Sequence, residues 1–557
     1  MVKGLIRFLH RETTGLHEAA YLLGFFAVLS QILAFLRDRL LAHIFGASSS
    51  LDIYYAAFRI PDFIFVTAAS VVSISVLVPF IIEKEKSGKD EVKKFIDSVF
   101  SYFSVFIIGA CAVTFFLIPE LSEKLFPGFS PEMLEKVILV SRIMLLSPVA
   151  LGFSNLLGSL TQAYNRFAIY ALAPLLYNVG IILGIVLFGK NIGVVGVAIG
   201  VVLGASLHAL VQVPFIAKEG LLPNRFRFNF APIKRVMLLS LPRTLSLSTN
   251  QIAIISLVSF ASLMAAGSVS VLSFSINLQS VPLTIVGVSY SLAAFPTLSR
   301  FFTEGNREAF VEQMAATARH IIFWTLPLTA LFVVLRAQIV RVLLGTGRFD
   351  WTDTRLTAAA LAIFVVSSVF QCLLLAFMRA FYAAGHTKKP FYINFFSAIF
   401  LILSTYLLIK VFYWSPGFQY FFTELLKVGG LAGAVVLMLP LGYSLGTIIN
   451  GLAHWYSFEK EFGNFTRKIS RTIFESFGTS VIMGAAAYIG LVLFAPVFNT
   501  SSLIGIFLQG FVAGALAIFV GIAILYALGS KELSETWKAI HRKFWKAEVV
   551  ASDPEIV

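Results

Sequence analysis

Apolar residues in this chain fall into fourteen long runs separated by short polar stretches. The runs lie near 21–44, 57–82, 97–118, 137–163, 170–188, 192–217, 238–264, 271–298, 316–341, 358–384, 391–412, 426–455, 471–494 and 503–528. Each is close to the roughly 20 residues that an α-helix needs to cross the hydrocarbon core of a bilayer. Lipid offers no hydrogen-bond partner to an open strand edge, so helices are the form these runs predict. The first twenty residues are polar (Lys3, Arg7, Arg11, Glu12, Glu18) and lead into a full-length run. They are expected to form a retained segment rather than a cleaved signal.

Charge decides the orientation. With fourteen spans both termini share one side, and the polar stretches on that side hold roughly 28 Lys and Arg against about nine on the other. Positive loops stay in the cytoplasm, which predicts cytoplasmic termini and a multi-pass protein of the bacterial inner membrane. Composition agrees: 58% of the 557 residues are hydrophobic and 13% charged. The mean hydropathy is +0.87. The net charge of +14 then reads as topology signal and attraction to anionic lipid headgroups, not as nucleic-acid binding. The two cysteines, Cys111 and Cys372, sit in apolar runs and give no disulfide framework. No HExxH, P-loop or G-x-S-x-G elbow is present, so neither an enzyme nor an ATP-driven pump is indicated, and no cofactor or metal is expected.

The chain repeats itself. Gly46-Ala47-Ser48-Ser49 stands fifteen residues before Pro61, and Gly267-Ser268-Val269-Ser270 fifteen residues before Pro282. Ala163-Tyr164 is echoed by Phe381-Tyr382 at nearly the same offset. Six helices separate the copies, so both have one orientation, as in transporters built from parallel repeats. The expected organisation is a cytoplasmic segment 1–20, a six-helix lobe 21–217, a linker 218–237 and a second six-helix lobe 238–455. A pair of extra helices at 456–528 and a cytoplasmic tail 529–557 follow. Prolines inside the runs (Pro79, Pro148, Pro174, Pro282, Pro296, Pro327, Pro440) supply bends suited to rocking lobes. Gly196, Gly200 and Gly204 read as a ladder for close helix packing.

Ionisable groups at membrane depth are costly and therefore informative. The first run carries Arg37-Asp38-Arg39, the following loop Asp52, and the start of the second run Arg59 and Asp62 around Pro61. Arg142, Arg243 and Arg379 lie in later runs. Arginine suits a diphosphate because its planar fork grips oxygens two at a time. A structural alternative is that these arginines pair with Asp38, Asp52 and Asp62 and pin the first two helices, while Arg142 and Arg379 reach toward an interface. Adjacent residues on a helix point about 100° apart. Arg37 is therefore expected to stand clear of Asp38 and face the lobe interface, with Asp38 taken by Arg39 or Arg59. His208 and His454 read as bundle residues rather than proton relays.

Several of these segments together resemble one family. The run Arg37-Asp38-Arg39-Leu40-Leu41-Ala42-His43-Ile44-Phe45-Gly46-Ala47, then Asp52 and Phe58-Arg59-Ile60-Pro61-Asp62, is similar to the first two helices of the MurJ (MviN) lipid II flippases. Leu344-Gly345-Thr346-Gly347-Arg348-Phe349-Asp350, Phe381-Tyr382-Ala383-Ala384-Gly385-His386-Thr387-Lys388-Lys389-Pro390 and Phe295-Pro296-Thr297-Leu298-Ser299 resemble later segments of that family. The resemblance implies an all-α membrane protein of the multidrug/oligosaccharidyl-lipid/polysaccharide exporter superfamily. It also implies two six-helix lobes around a central cavity and a two-helix groove for a polyprenyl tail. Alternating access would carry lipid II, an undecaprenyl-diphosphate-linked peptidoglycan precursor, from cytoplasm to periplasm. The chain departs from the family pattern at three cavity arginines, replaced by Gln31, Phe65 and Asn277; Arg37 is retained, and Asp52 matches the family's acidic loop residue. The candidate substrate-binding residues are Arg37, Asp52, Arg59, Arg243, Asn277, Gln31, Arg142 and Arg379. Expected partners are a polyprenyl-diphosphate-linked saccharide and membrane lipids, with a monomer working beside cell-wall synthesis proteins. Two other readings stay open: a flippase for another polyprenyl-linked glycan or a small-molecule exporter, and a non-transporting membrane scaffold of the same fold.

Overall fold

The computed structural model describes residues 16–71 and 74–545. The start of the expected N-terminal segment, the end of the expected tail and the side chain of Arg243 lie outside the described residues. The described residues are helical, joined by turns, in the order α1 Leu16–Phe45, α2 Ser49–Val71, α3 Ile74–Glu85, α4 Lys89–Leu125, α5 Pro131–Met144, α6 Leu146–Ala163, α7 Phe167–Ile192, α8 Val194–Leu210, α9 Val213–Lys218, α10 Phe230–Ser262 and α11 Ser268–Pro282. A π-helical turn, Leu283–Val288, leads to α12 Ser289–Thr303, then α13 Arg307–Val334, α14 Arg336–Leu344, α15 Trp351–Val366, α16 Ser368–Ala383, α17 Lys388–Trp414 and α18 Pro416–Leu425. After a 3-10 turn, Ala434–Leu437, come α19 Met438–Phe462, α20 Phe465–Phe494, α21 Leu503–Ala527 and α22 Lys531–Trp545.

Among the described residues eleven helices are long and apolar enough to cross a membrane, or twelve if α15 and α16, bent by 43°, count as one span. These match the last twelve expected runs. The first two expected runs fall on α1, whose residues 19–36 carry no charged side chain, and on α2 with α3, where Arg59 and Asp62 interrupt the apolar sequence. The described residues thus confirm eleven or twelve of the expected fourteen spans by length and composition. The amphipathic α22 lies within the expected tail, and its Glu532 turns inward to accept from Thr472 Oγ1 at 2.8 Å.

The chain divides into two compact units. One comprises the chain up to Leu278 with Val340–Ala360 and Thr387–Thr447; the other comprises Gln279–Ile339, Leu361–His386 and the chain from Ile448 onward. Within the first unit, α7 and α8 pack backbone against backbone: a Cβ added at Gly180 would overlap Gly204, and one at Gly184 would overlap Gly200. The small-residue ladder thus sets the spacing of these helices. Pro61 cannot donate to the Ala57 carbonyl one turn earlier in α2. Ser141 Oγ of α5 donates to that carbonyl at 3.1 Å, so the freed acceptor is satisfied inside the bundle. In the second unit the core is aromatic, with Phe310, Phe377, Phe381, Phe458 and Phe465 fully buried around one another.

Candidate functional site

One cavity of about 370 Å³ lies wholly within the first unit. Its walls come from α1 (Arg37, Leu41), α2 (Tyr54, Tyr55, Phe58, Arg59, Pro61, Asp62, Phe65), α6 (Ser147, Leu151), α7 (Tyr177, Ile181) and α11 (Ser273, Ile276, Asn277). On α2 the polar residues Asp52, Tyr55, Arg59 and Asp62 recur at spacings of three and four, so they form one stripe along an otherwise apolar helix.

The α1 side of the cavity is a closed network. Arg37 Nε and Nη2 donate to Asp38 Oδ1 at 3.0 and 2.8 Å, and Arg37 Nη1 donates to Asn178 Oδ1 at 3.1 Å. Asn178 Nδ2 in turn donates to Ser30 Oγ and to the Pro174 carbonyl. Asp38 Oδ2 accepts from Asn277 Nδ2 at 3.0 Å. The expectation that Arg37 stands clear of Asp38 is therefore corrected. The Cα–Cβ bonds of neighbouring residues diverge, but the arginine side chain is long enough to curl around the helix and bring its guanidinium edge onto the adjacent carboxylate. Arg39, the alternative partner for Asp38, is used elsewhere: its Nη1 donates to the carbonyls of Val342 and Leu343.

The α2 side is less complete. Arg59 Nη2 donates to Ser273 Oγ at 3.2 Å, and Asp62 Oδ2 accepts from Gln251 Nε2 at 3.2 Å. Arg59 Nε and Tyr55 Oη are buried and have no hydrogen-bond partner. Two acids and two cations thus sit in or beside the cavity, which is polar but nearly balanced in charge.

Arg37, Arg59 and Asn277 share this cavity, and Phe65 faces it as well. The other candidates lie elsewhere. Asp52 is buried in the first turn of α2, where its carboxylate accepts from Gly267 N at 2.6 Å, Ser270 N at 2.8 Å and Ser270 Oγ at 2.6 Å, capping the start of α11. The same junction needs glycine at Gly267 (φ +89°), where a Cβ would overlap the Ala47 carbonyl. Gln31 is on α1 and Arg379 on α16 of the second unit, and neither lines the cavity. Arg142 donates from Nε to the Phe115 carbonyl at 3.3 Å and lies over the Phe115 ring at 4.6 Å. Tyr54, Tyr55, Tyr177 and Ser273 are the cavity residues that sequence reasoning missed. For Tyr55 a signal existed in the three-and-four spacing of the α2 stripe; for Tyr177 and Ser273 there was none, because only folding brings α7 and α11 to α2.

An all-helical, membrane-spanning chain with ionisable residues gathered in a cavity shares the fold of the multidrug MATE transporters. A solved structure described as the inward-facing conformation of a multidrug resistance MATE family transporter of the MOP superfamily matches with a TM-score of 0.63 at 16% identity, over 78% of this chain and 96% of that one. A structure described as lipid II flippase MurJ, inward closed conformation, matches with a TM-score of 0.72 at 23% identity, over 91% of this chain and 99% of that one. The family model for lipid II flippase MurJ matches residues 41–509, and the chain belongs to that family. Relatives include a probable lipid II flippase MurJ of Buchnera aphidicola subsp. Schizaphis graminum, 26% identical over 93% of this chain and 98% of the relative. Another is the lipid II flippase MurJ of Burkholderia cenocepacia, 26% identical over 69% of this chain and 77% of that protein. A probable lipid II flippase MurJ of Thermotoga maritima is 30% identical over 67% of this chain and 75% of the relative.

Proposed function

We propose that this protein flips an undecaprenyl-diphosphate-linked peptidoglycan precursor, lipid II, from the cytoplasmic to the periplasmic leaflet by alternating access. The observation that carries the reading is the cavity in which Arg37 and Arg59 face a shared space in a chain of the MurJ family. A guanidinium is the side chain best suited to hold a diphosphate. The working lobes are residues 21–217 and 238–455, joined by the linker 218–237, a division supported by the internal repeat. Both termini are cytoplasmic, supported by the excess of Lys and Arg on their side. The polyprenyl tail runs along the last two membrane helices, within 456–528, which lie outside the repeat. The protein acts as a monomer.

The test is complementation of a bacterium depleted of its own flippase. Growth with this gene supports the reading; lysis with the protein present in the membrane at normal level rejects it. Reporter fusions at residues 90, 228 and 465 should read cytoplasmic, and those at 125 and 348 periplasmic. A periplasmic signal at 228 would break the two-lobe arrangement, because the linker has to return to the cytoplasm.

A further inference from the structure

Two donors on the cavity wall are buried with nothing to donate to. Tyr55 is 8% exposed, and its ring is fixed edge-on against Tyr54 at 5.2 Å and Phe274 at 5.8 Å. Its Oη has no partner. Arg59 is anchored through Nη2 to Ser273 Oγ, and its Nε also has no partner. The two residues are one helical turn apart on α2, and both line the same cavity. Buried polar atoms in folded proteins are nearly always paired, because an unpaired one loses its hydration and gains nothing in return. Two adjacent exceptions opening on one cavity mark a place shaped for something else to bind.

We propose that Tyr55 Oη and Arg59 Nε form a two-donor subsite for a phosphate oxygen of the lipid-linked diphosphate. The proposal rests on the reading of the cargo given above and names the atoms that hold it. Arg Nε can only donate, and a phenol can donate as well, so the missing group is an acceptor. A guanidinium favours an anionic acceptor over a neutral one, since the charge-assisted bond is the stronger. Arg37 is committed elsewhere in the present arrangement: three of its five N–H bonds donate to Asp38 and Asn178, and its Nε has no hydrogen left to offer. The grip on the anion therefore lies on α2, and Tyr55 becomes a specificity-determining residue for the phosphate end of the cargo.

The experiment compares wild type, Tyr55→Phe and Arg59→Lys as full-length proteins in lipid nanodiscs. The probes are undecaprenyl diphosphate and undecaprenol, which share a tail and differ in the anion. Melting temperature is measured on every sample. The subsite predicts that Tyr55→Phe weakens undecaprenyl diphosphate binding about tenfold, the worth of one good hydrogen bond, with undecaprenol binding unchanged and no fall in melting temperature. Arg59→Lys should lose at least as much, because an ammonium keeps the charge but not the Nε–H. Wild-type affinity in Tyr55→Phe, with wild type still preferring the diphosphate, overturns the subsite and leaves the proposed cargo standing. A parallel loss for both probes with a lowered melting temperature also overturns it, since that is the mark of a packing role. If wild type binds the diphosphate no better than undecaprenol, the cargo reading fails and the subsite with it.

Discussion

Helix α2 carries two polar environments one turn apart, and they are built in opposite ways. At its first turn Asp52 is saturated: two backbone N–H groups and one hydroxyl converge on its carboxylate. At the next turn Tyr55 Oη, and a turn later Arg59 Nε, face a cavity with no partner at all. A saturated buried carboxylate ties chain segments together, whereas unsaturated donors hold binding capacity in reserve. The contrast separates residues that build the protein from residues available to a ligand, although all of them are polar, buried and on one stripe.

Arg37 offers the strongest way to break this division. It lines the cavity, yet its bonds place it with the builders. Arg37→Ala should leave Asp38 buried with Asn277 as its remaining partner, at a cost of about 3–5 kcal/mol. Thermal denaturation would show it as a clear drop in melting temperature. A variant that melts normally but fails to complement would return Arg37 to the ligand side. Asp52→Ala should come next, at about 2–4 kcal/mol, because Gly267 N and Ser270 N lose their acceptor. Asp52→Asn, which keeps one carbonyl oxygen, should recover part of that loss. Equal melting curves for Asp52→Ala and wild type would mean the junction is held by something other than the carboxylate. Tyr55→Phe lies on the other side of the comparison and should be neutral or stabilising by up to about 1 kcal/mol, since the group removed has no partner.

What was legible from sequence follows the same physical line. Twelve of the fourteen expected runs are plain in the structure because hydropathy is a local property. That α8 packs closely on a neighbour was legible too, from glycines four apart along it; that the neighbour is α7 comes from the fold. The pairing of Arg37 with Asp38 was not, because helix geometry fixes where Cβ points and not where a long flexible side chain ends. The Asp52 junction was not, because its partners are more than 200 residues away in sequence. The cavity could be suspected from its arginines, but Tyr55 looks in sequence like any aromatic in an apolar helix. That its hydroxyl lacks a partner is a fact of the folded protein alone.

The smallest expected effect tests whether the balance of charge in the cavity sets affinity. The resemblance to the MurJ family places an arginine at the position of Asn277, which here spends its side-chain amide on Asp38. Asn277→Arg would put a second cation beside a carboxylate that already has Arg37. The added charge could not be cancelled locally, and the cavity would move from near balance to a net positive potential. There is room for the longer side chain, because Asn277 borders the 370 Å³ space rather than a packed core. At the effective dielectric of a partly hydrated site, a unit charge several ångströms from the phosphate contributes modestly. A gain of about threefold in undecaprenyl diphosphate affinity is expected, shrinking as salt is raised because mobile ions screen it. Undecaprenol binding should not change. If affinity for the diphosphate falls instead, the new arginine has drawn Asp38 away from Arg37 and disturbed the α1 network. The cavity's preference would then be set by the geometry of the donors on α2, with net charge secondary.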